Sequence, residues 1–147
     1  MTEDIRNYIE SKRTTKNDGL VIIYGFVDLS GEDLSGKDLR GIDLSHCSLK
    51  NANLQNADLR GSTLNAADFR GADLTNADFR GCELKGSFFD KAIITGTNFK
   101  GCLLNGAFFN GAKVKCADFC GSELCDTEGL KIDDDDKEWF FRGVFID

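Results

Sequence analysis

The chain of 147 residues contains no proline, one histidine, one methionine, one tryptophan and two tyrosines. Without proline, tight corners fall to residues that tolerate a left-handed backbone, chiefly glycine and asparagine. The single histidine, His46, suggests neither a Cys/His couple nor a Ser/His/Asp set. Phosphate-cradling and dinucleotide motifs are absent. Long apolar runs are missing too. The longest, Leu20 to Val27, is about eight residues, holds Gly25, and falls far short of a membrane span. There is no excess of positive charge: 25 acidic against 18 basic residues, net −7, argues against nucleic acid or an anionic membrane as a direct partner. Met1 to Arg13 carries Glu3, Asp4 and Glu10 where a signal peptide would be apolar. A cytoplasmic location is therefore expected, with the six cysteines as thiols and not a disulfide framework.

What is present is a period of five. Large apolar residues recur without a slip from Leu29 through Leu34, Leu39 and onward to Phe119 and Leu124. Two places before each of them, from Cys47 to Ser122, stands Ala, Ser, Cys or Thr. Two places after, the residue is usually Gly, as at Gly61, Gly71 and Gly81, or else Asn, as at Asn51, Asn56 and Asn76. A helix needs a period of 3.6 and a strand a period of 2, so five fits neither. A short extended piece followed by a corner does fit, and self-similarity at a fixed period marks a solenoid. From position 69 onward the central residue alternates between Phe and aliphatic. With twenty residues per turn, Phe69, Phe89 and Phe109 stack in one column and Phe79, Phe99 and Phe119 in the opposite one; an odd number of repeats per turn would mix them.

The units Ala57-Asp58-Leu59-Arg60-Gly61, Ala67-Asp68-Phe69-Arg70-Gly71 and Ala72-Asp73-Leu74-Thr75-Asn76 resemble the pentapeptide-repeat family. The resemblance implies an all-β fold, a right-handed quadrilateral β-helix of about five coils with the central and the small residue pointing inward. The expected organisation is an N-terminal helix and cap over 1–26, a solenoid over 27–126, and an acidic, aromatic C-terminal cap over 127–147. Thr2 is the expected helix N-cap, with Ile5, Tyr8 and Ile9 as the apolar stripe. In the first coil Glu32, Lys37 and Ile42 stand where small residues belong, so Glu32 and Lys37 are expected to face inward at an open mouth that the N-terminal segment covers. Trp139, Phe140 and Phe141 would close the other end, since a last coil exposes both core and strand edges.

Function has to be sought on the surface. The position just before each central residue points outward and is mostly polar, but Phe88, Ile93, Leu103 and Phe108 are not, and they lie within about one turn. Clustered exposed apolar residues mark an interface; the chain's own tail, a second copy and a different protein are the open occupants. A charged ladder, Arg40, Arg60, Arg80 and Lys100, runs beside Asp38, Asp58, Asp78 and Asn98 and reads as self-neutralising surface. His46 is expected at an exposed corner. Cys82 and Cys102 are expected as stacked inward neighbours, and Cys116, Cys120 and Cys125 fall on different walls, which disfavours a metal site. No catalytic residue, cofactor or metal is expected. The leading reading is a non-catalytic protein-interaction scaffold, with a homodimer as one form of it. The alternative, implied by the resemblance, is a DNA mimic that binds or protects DNA gyrase or topoisomerase. Residues 27–126 carry 14 acids against 11 bases, whereas a duplex of that height would carry about 14 charges of one sign.

Overall fold

The computed structural model describes residues 3–17 and 22–132. Thr2, Leu20 and the aromatic tail from Asp133 onward fall outside them, so the expected N-cap and C-terminal closure are not described.

From Asp28 onward the chain winds as a parallel β-solenoid. Isolated parallel bridges join each outward residue to the one twenty places on, from Asp28–Ser48 through Asp58–Asp78 to Phe108–Glu128. Twenty residues per turn is four repeats, as the segregated Phe columns require. The backbone hydrogen bonds are fully accounted for by this register. A central N–H donates to the next coil (Leu59 to Asp78 O, 2.8 Å), and so does a corner N–H (Gly61 to Arg80 O, 3.0 Å). The small residue's N–H closes the corner on its own side (Ala57 to Leu54 O, 3.1 Å). The ladder runs two residues beyond Asp126, to Glu128, where the sequence pattern alone no longer signals a repeat.

Every corner residue from Gly31 to Asp126 has positive φ. Most are glycine, but His46, Asn51, Ala66, Lys91 and Cys116 also adopt it. His46 is exposed at such a corner. Gly71 shows why the small residue matters: a Cβ there would run into Oδ1 of Asn51, the corner side chain one coil earlier.

The core holds the central residues, Leu29 to Leu124, almost all of them inaccessible to solvent. Each such side chain contributes roughly 1.5–3 kcal/mol on burial. Phe69, Phe89 and Phe109 stack at 4.9 Å centroid spacing, as do Phe79, Phe99 and Phe119 at 5.1 and 4.9 Å. The two columns meet edge to face, Phe89 against Phe99 at 5.7 Å and 87°. Stacked within a column and T-shaped across it, the rings take the two arrangements that aromatic quadrupoles favour.

The inward hydroxyls and thiols are bonded as well as small. Ser62 Oγ donates to Leu39 O at 2.7 Å, Cys82 Sγ to Leu59 O at 3.0 Å, Cys102 Sγ to Phe79 O at 2.8 Å and Ser122 Oγ to Phe99 O at 2.5 Å. The proximity of Cys82, together with burial, pushes the Cys102 thiol well above its usual range, so Cys102 stays protonated and serves as packing.

At the first coil, α1 (Glu3–Ser11) lays Ile5 and Ile9 into the core. Strands β1 (Arg13–Asn17) and β2 (Ile22–Val27) form an antiparallel hairpin that leads into the solenoid. The sequence pattern does not announce β1, whose Arg-Thr-Thr-Lys-Asn lacks apolar alternation. Glu32 is half-buried under the helix and pairs with Lys12 Nζ at 2.9 Å, which itself lies 5.1 Å from the Tyr8 ring centre. Hydrogen bonds from Tyr8 and Lys12 hold Glu32 below the usual carboxylate range. Lys37, expected inward, is exposed instead, because its long stem lets the ammonium reach water. Two further short strands, β3 (Ile93–Thr95) and β4 (Lys113–Lys115), pair in parallel within the ladder.

Candidate interaction face

The outward position has a local role that polarity alone does not reveal. Every Asp and Asn there accepts a hydrogen bond from the N–H two residues on, as Asp58 Oδ1 does from Arg60 N (3.2 Å) and Asn98 Oδ1 from Lys100 N (3.1 Å). These Asx turns tie the outward side chain to the corner that follows. Phe88, Ile93, Leu103 and Phe108 give that tie up.

The four residues are spread over three columns of the ladder. Phe88 and Phe108 bridge to each other and stack at 5.1 Å and 7°. Ile93 bridges Asp73 in the neighbouring column on one side; Leu103 bridges Glu83 and Glu123 in the column on the other. All four are half-buried. The pair, not the quartet, is the contiguous apolar feature.

Beside the pair lies an open groove of about 620 Å³ lined by Lys50, Arg70, Phe88, Asp90, Lys91 and Phe108, with Asn51 and Gly71 at the corner. The Arg70 guanidinium sits 5.6 Å from the Phe88 ring centre while its Nη2 bonds Asp68 at 2.6 Å. Lys50 reaches the same carboxylate at 3.3 Å. Burial works to raise the Asp68 carboxyl, but the hydrogen bonds from Arg70 and Lys50 outweigh it and hold the group below its usual range. Lys50, Arg70 and Lys91 were not distinguished by the sequence reading; the signal available was Lys91, a lysine at a corner where glycine is the rule.

The charged ladder is paired throughout. Arg40 forks onto Asp38 with two bonds of 2.8 Å and lies 3.7 Å from Asp58 in the next coil. Arg60 forks onto Asp58, Arg80 onto Asp78, and Lys100 reaches Asp118 at 3.0 Å. The forks hold Asp38 far below, and Asp58 below, the ordinary carboxylate value. At Asp78 burial pulls the other way and the Arg80 hydrogen bonds prevail.

Among the described residues no group of three or more His, Cys, Asp and Glu is placed to hold a metal, and no helix is long and apolar enough to cross a membrane. Cys116, Cys120 and Cys125 lie at or near the surface of the last coil.

A β-solenoid with a five-residue repeat, a stacked core and side-chain-tied corners defines the class of protein. The chain belongs to the pentapeptide-repeat family: the family model, pentapeptide repeats, matches residues 26–61, 52–90 and 92–128. No curated protein sequence matches it significantly. Among solved structures it is similar to QnrB1, described as a plasmid-mediated fluoroquinolone resistance protein, at 22% identity and TM-score 0.71, covering 82% of this chain and 60% of that one. It is also similar to HetL from the cyanobacterium Nostoc sp. strain PCC 7120, described as involved in heterocyst differentiation regulation, at 25% identity and TM-score 0.59, covering 85% and 66%. A third is Rfr23 from the cyanobacterium Cyanothece 51142, at 20% identity and TM-score 0.55, covering 83% and 87%. The chain thus spans less than two thirds of the length of the QnrB1 and HetL chains.

Proposed function

We propose that this protein is a non-catalytic interaction scaffold of the cytoplasm: a right-handed, quadrilateral post of about five coils, capped by α1 at one end and by the segment 127–147 at the other, that binds another protein through its side. One observation carries the reading. Phe88 and Phe108 form a stacked aromatic pair on an outward row whose other members are chiefly Asp and Asn tied into turns. Ile93 and Leu103 extend the apolar surface around the two adjoining columns. The scaffold reading is favoured over the DNA mimic by the ladder, whose arginines fork onto its own aspartates and neutralise that face. No cofactor enters this function.

The test is site-specific photo-crosslinking in the native cell. A benzophenone-bearing residue in place of Phe88 is expected to capture one defined protein, whereas the same residue in place of Arg60, on the paired ladder, captures none. Identical adducts from both positions would overturn the reading. Inhibition of gyrase supercoiling at stoichiometric protein, weakening as salt is added, would install the mimic in its place.

A further inference from the structure

We propose that the groove beside Phe88 and Phe108 receives an acidic protein segment carrying one large apolar anchor; this rests on the scaffold reading and gives the partner a chemistry. Two departures from the repeat rule converge there. Phe88 and Phe108 replace the turn-tying Asp or Asn and forgo its hydrogen bond. At the adjoining corner Lys91 holds φ +59°, a conformation that glycine adopts without strain and lysine does not. A Cβ placed on Gly111 would lie 3.5 Å from Lys91 Cγ, so the lysine stem runs along the corner toward the coil that carries Phe108.

The groove's charge selects the partner. Lys50, Arg70 and Lys91 line it with Asp90, and Asp68 takes Lys50 and Arg70 at its edge, which leaves the cations one ahead on a chain of net −7. Among the described residues Lys91 forms no ion pair. The ring geometry selects further. One face of Phe88 is taken by Phe108 and Arg70 also lies over the ring, so Phe88 offers its edge and not an open face. A nucleobase binds by stacking on an open face. A ring edge instead takes the face of an aromatic side chain or a branched aliphatic group, and the surrounding cations take the neighbouring carboxylates.

The probe is a phage-displayed library of random peptides of about twelve residues. It is panned on the wild-type protein, then on Phe88→Asp/Phe108→Asp and on Lys91→Glu, each checked for fold by circular dichroism. Wild type should enrich peptides with one large apolar residue flanked by Asp or Glu. Synthetic copies should lose roughly tenfold or more in affinity on either variant, and should weaken with salt. Lys91→Gly separates binding from folding: it should melt above wild type, because the strain is relieved, yet bind the same peptides more weakly. Peptides that need the Phe pair but are neutral, and indifferent to Lys91→Glu, would overturn the acidic partner while leaving the scaffold reading in place. Enrichment indifferent to both variants, or none, would overturn both. A dimer in light scattering that disappears in the double Asp variant would put a second copy in the groove and overturn the inference, as would tight binding of single-stranded oligothymidine.

Discussion

The face carrying Asp38, Asp58 and Asp78 and the face carrying Asp68, Phe88 and Phe108 share one backbone register and one core, yet they use their outward positions in opposite ways. On the first, each carboxylate accepts from the N–H two residues on, and from the arginine fork of that same residue, so the surface satisfies itself. On the second, the same rule holds at Asp68, with Arg70 forked onto it, and then stops. The next two coils give up the turn bond for stacked rings. A repeat that already folds has no need of that exchange. The lesson is that stability in this solenoid is supplied by the inward positions and the corners, which leaves the outward row able to diverge one column at a time.

The largest effect should come from the core that both faces share. Phe89 stacks on Phe69 and Phe109 and meets Phe99 edge-on. Phe89→Ala is expected to lose ~3–5 kcal/mol in urea denaturation. A loss no greater than that of Phe88→Asp, one residue away but outward, would break the inside–outside distinction on which the comparison rests.

A smaller effect concerns pH, and it belongs to the paired aspartates. Asp38, Asp58, Asp68 and Asp78 are held below the ordinary value of 3.8, so the stability they add is complete above that value and is lost as pH falls through their folded values. Asp78→Asn keeps an Oδ1 for the turn, as Asn98 does, and removes the charge that Arg80 needs. It should cost little at neutral pH, where the fork is solvent-screened, and should flatten the acid side of the melting-temperature profile. A profile as steep as that of wild type would mean that the forks contribute nothing measurable.

The smallest effect should be Phe88→Asp itself. It restores the residue type that ties the turn elsewhere, so equilibrium stability should change by no more than about 0.5 kcal/mol. A loss of several kcal/mol would make the ring structural and remove it from the interaction face.

The core and the corners were legible because they repeat. The five-residue spacing names the central residues that fill the core, though it also named Lys37, which is exposed, and the alternation of Phe with aliphatic residues after position 69 names the four-repeat turn. The surface was legible only as polarity. Asp at the outward position reads as solvated, and its bond to the N–H two residues on is invisible until the corner is built. Asn105 likewise reads as a bystander, yet its Nδ2 bonds Glu123 at 2.8 Å and its Oδ1 accepts from Cys125 N at 3.1 Å. The first coil was half-legible: the misfit Glu32 called for a partner and the helix carrying Tyr8 was expected, but that Tyr8 and Lys12, just past the helix, supply the partner emerges only once α1 lies over the coil.

Sequence alone therefore determined everything that depends on local period: which side chains face in, where the chain turns, and that the columns stay pure. A corner of positive φ every fifth residue is a short-range steric requirement, and the residue types state it directly. The same period states that neighbours along the post are twenty residues apart, so Phe88 over Phe108 was legible. Only the tertiary structure decided how the side chains of adjoining columns and coils are set around that pair, because the course of a long side chain depends on partners in other coils. That geometry separates Ile93 and Leu103 onto flanking columns, stacks Phe88 on Phe108, and sets Arg70 and Lys91 around them, a grouping that follows from the coil and not from proximity in the chain.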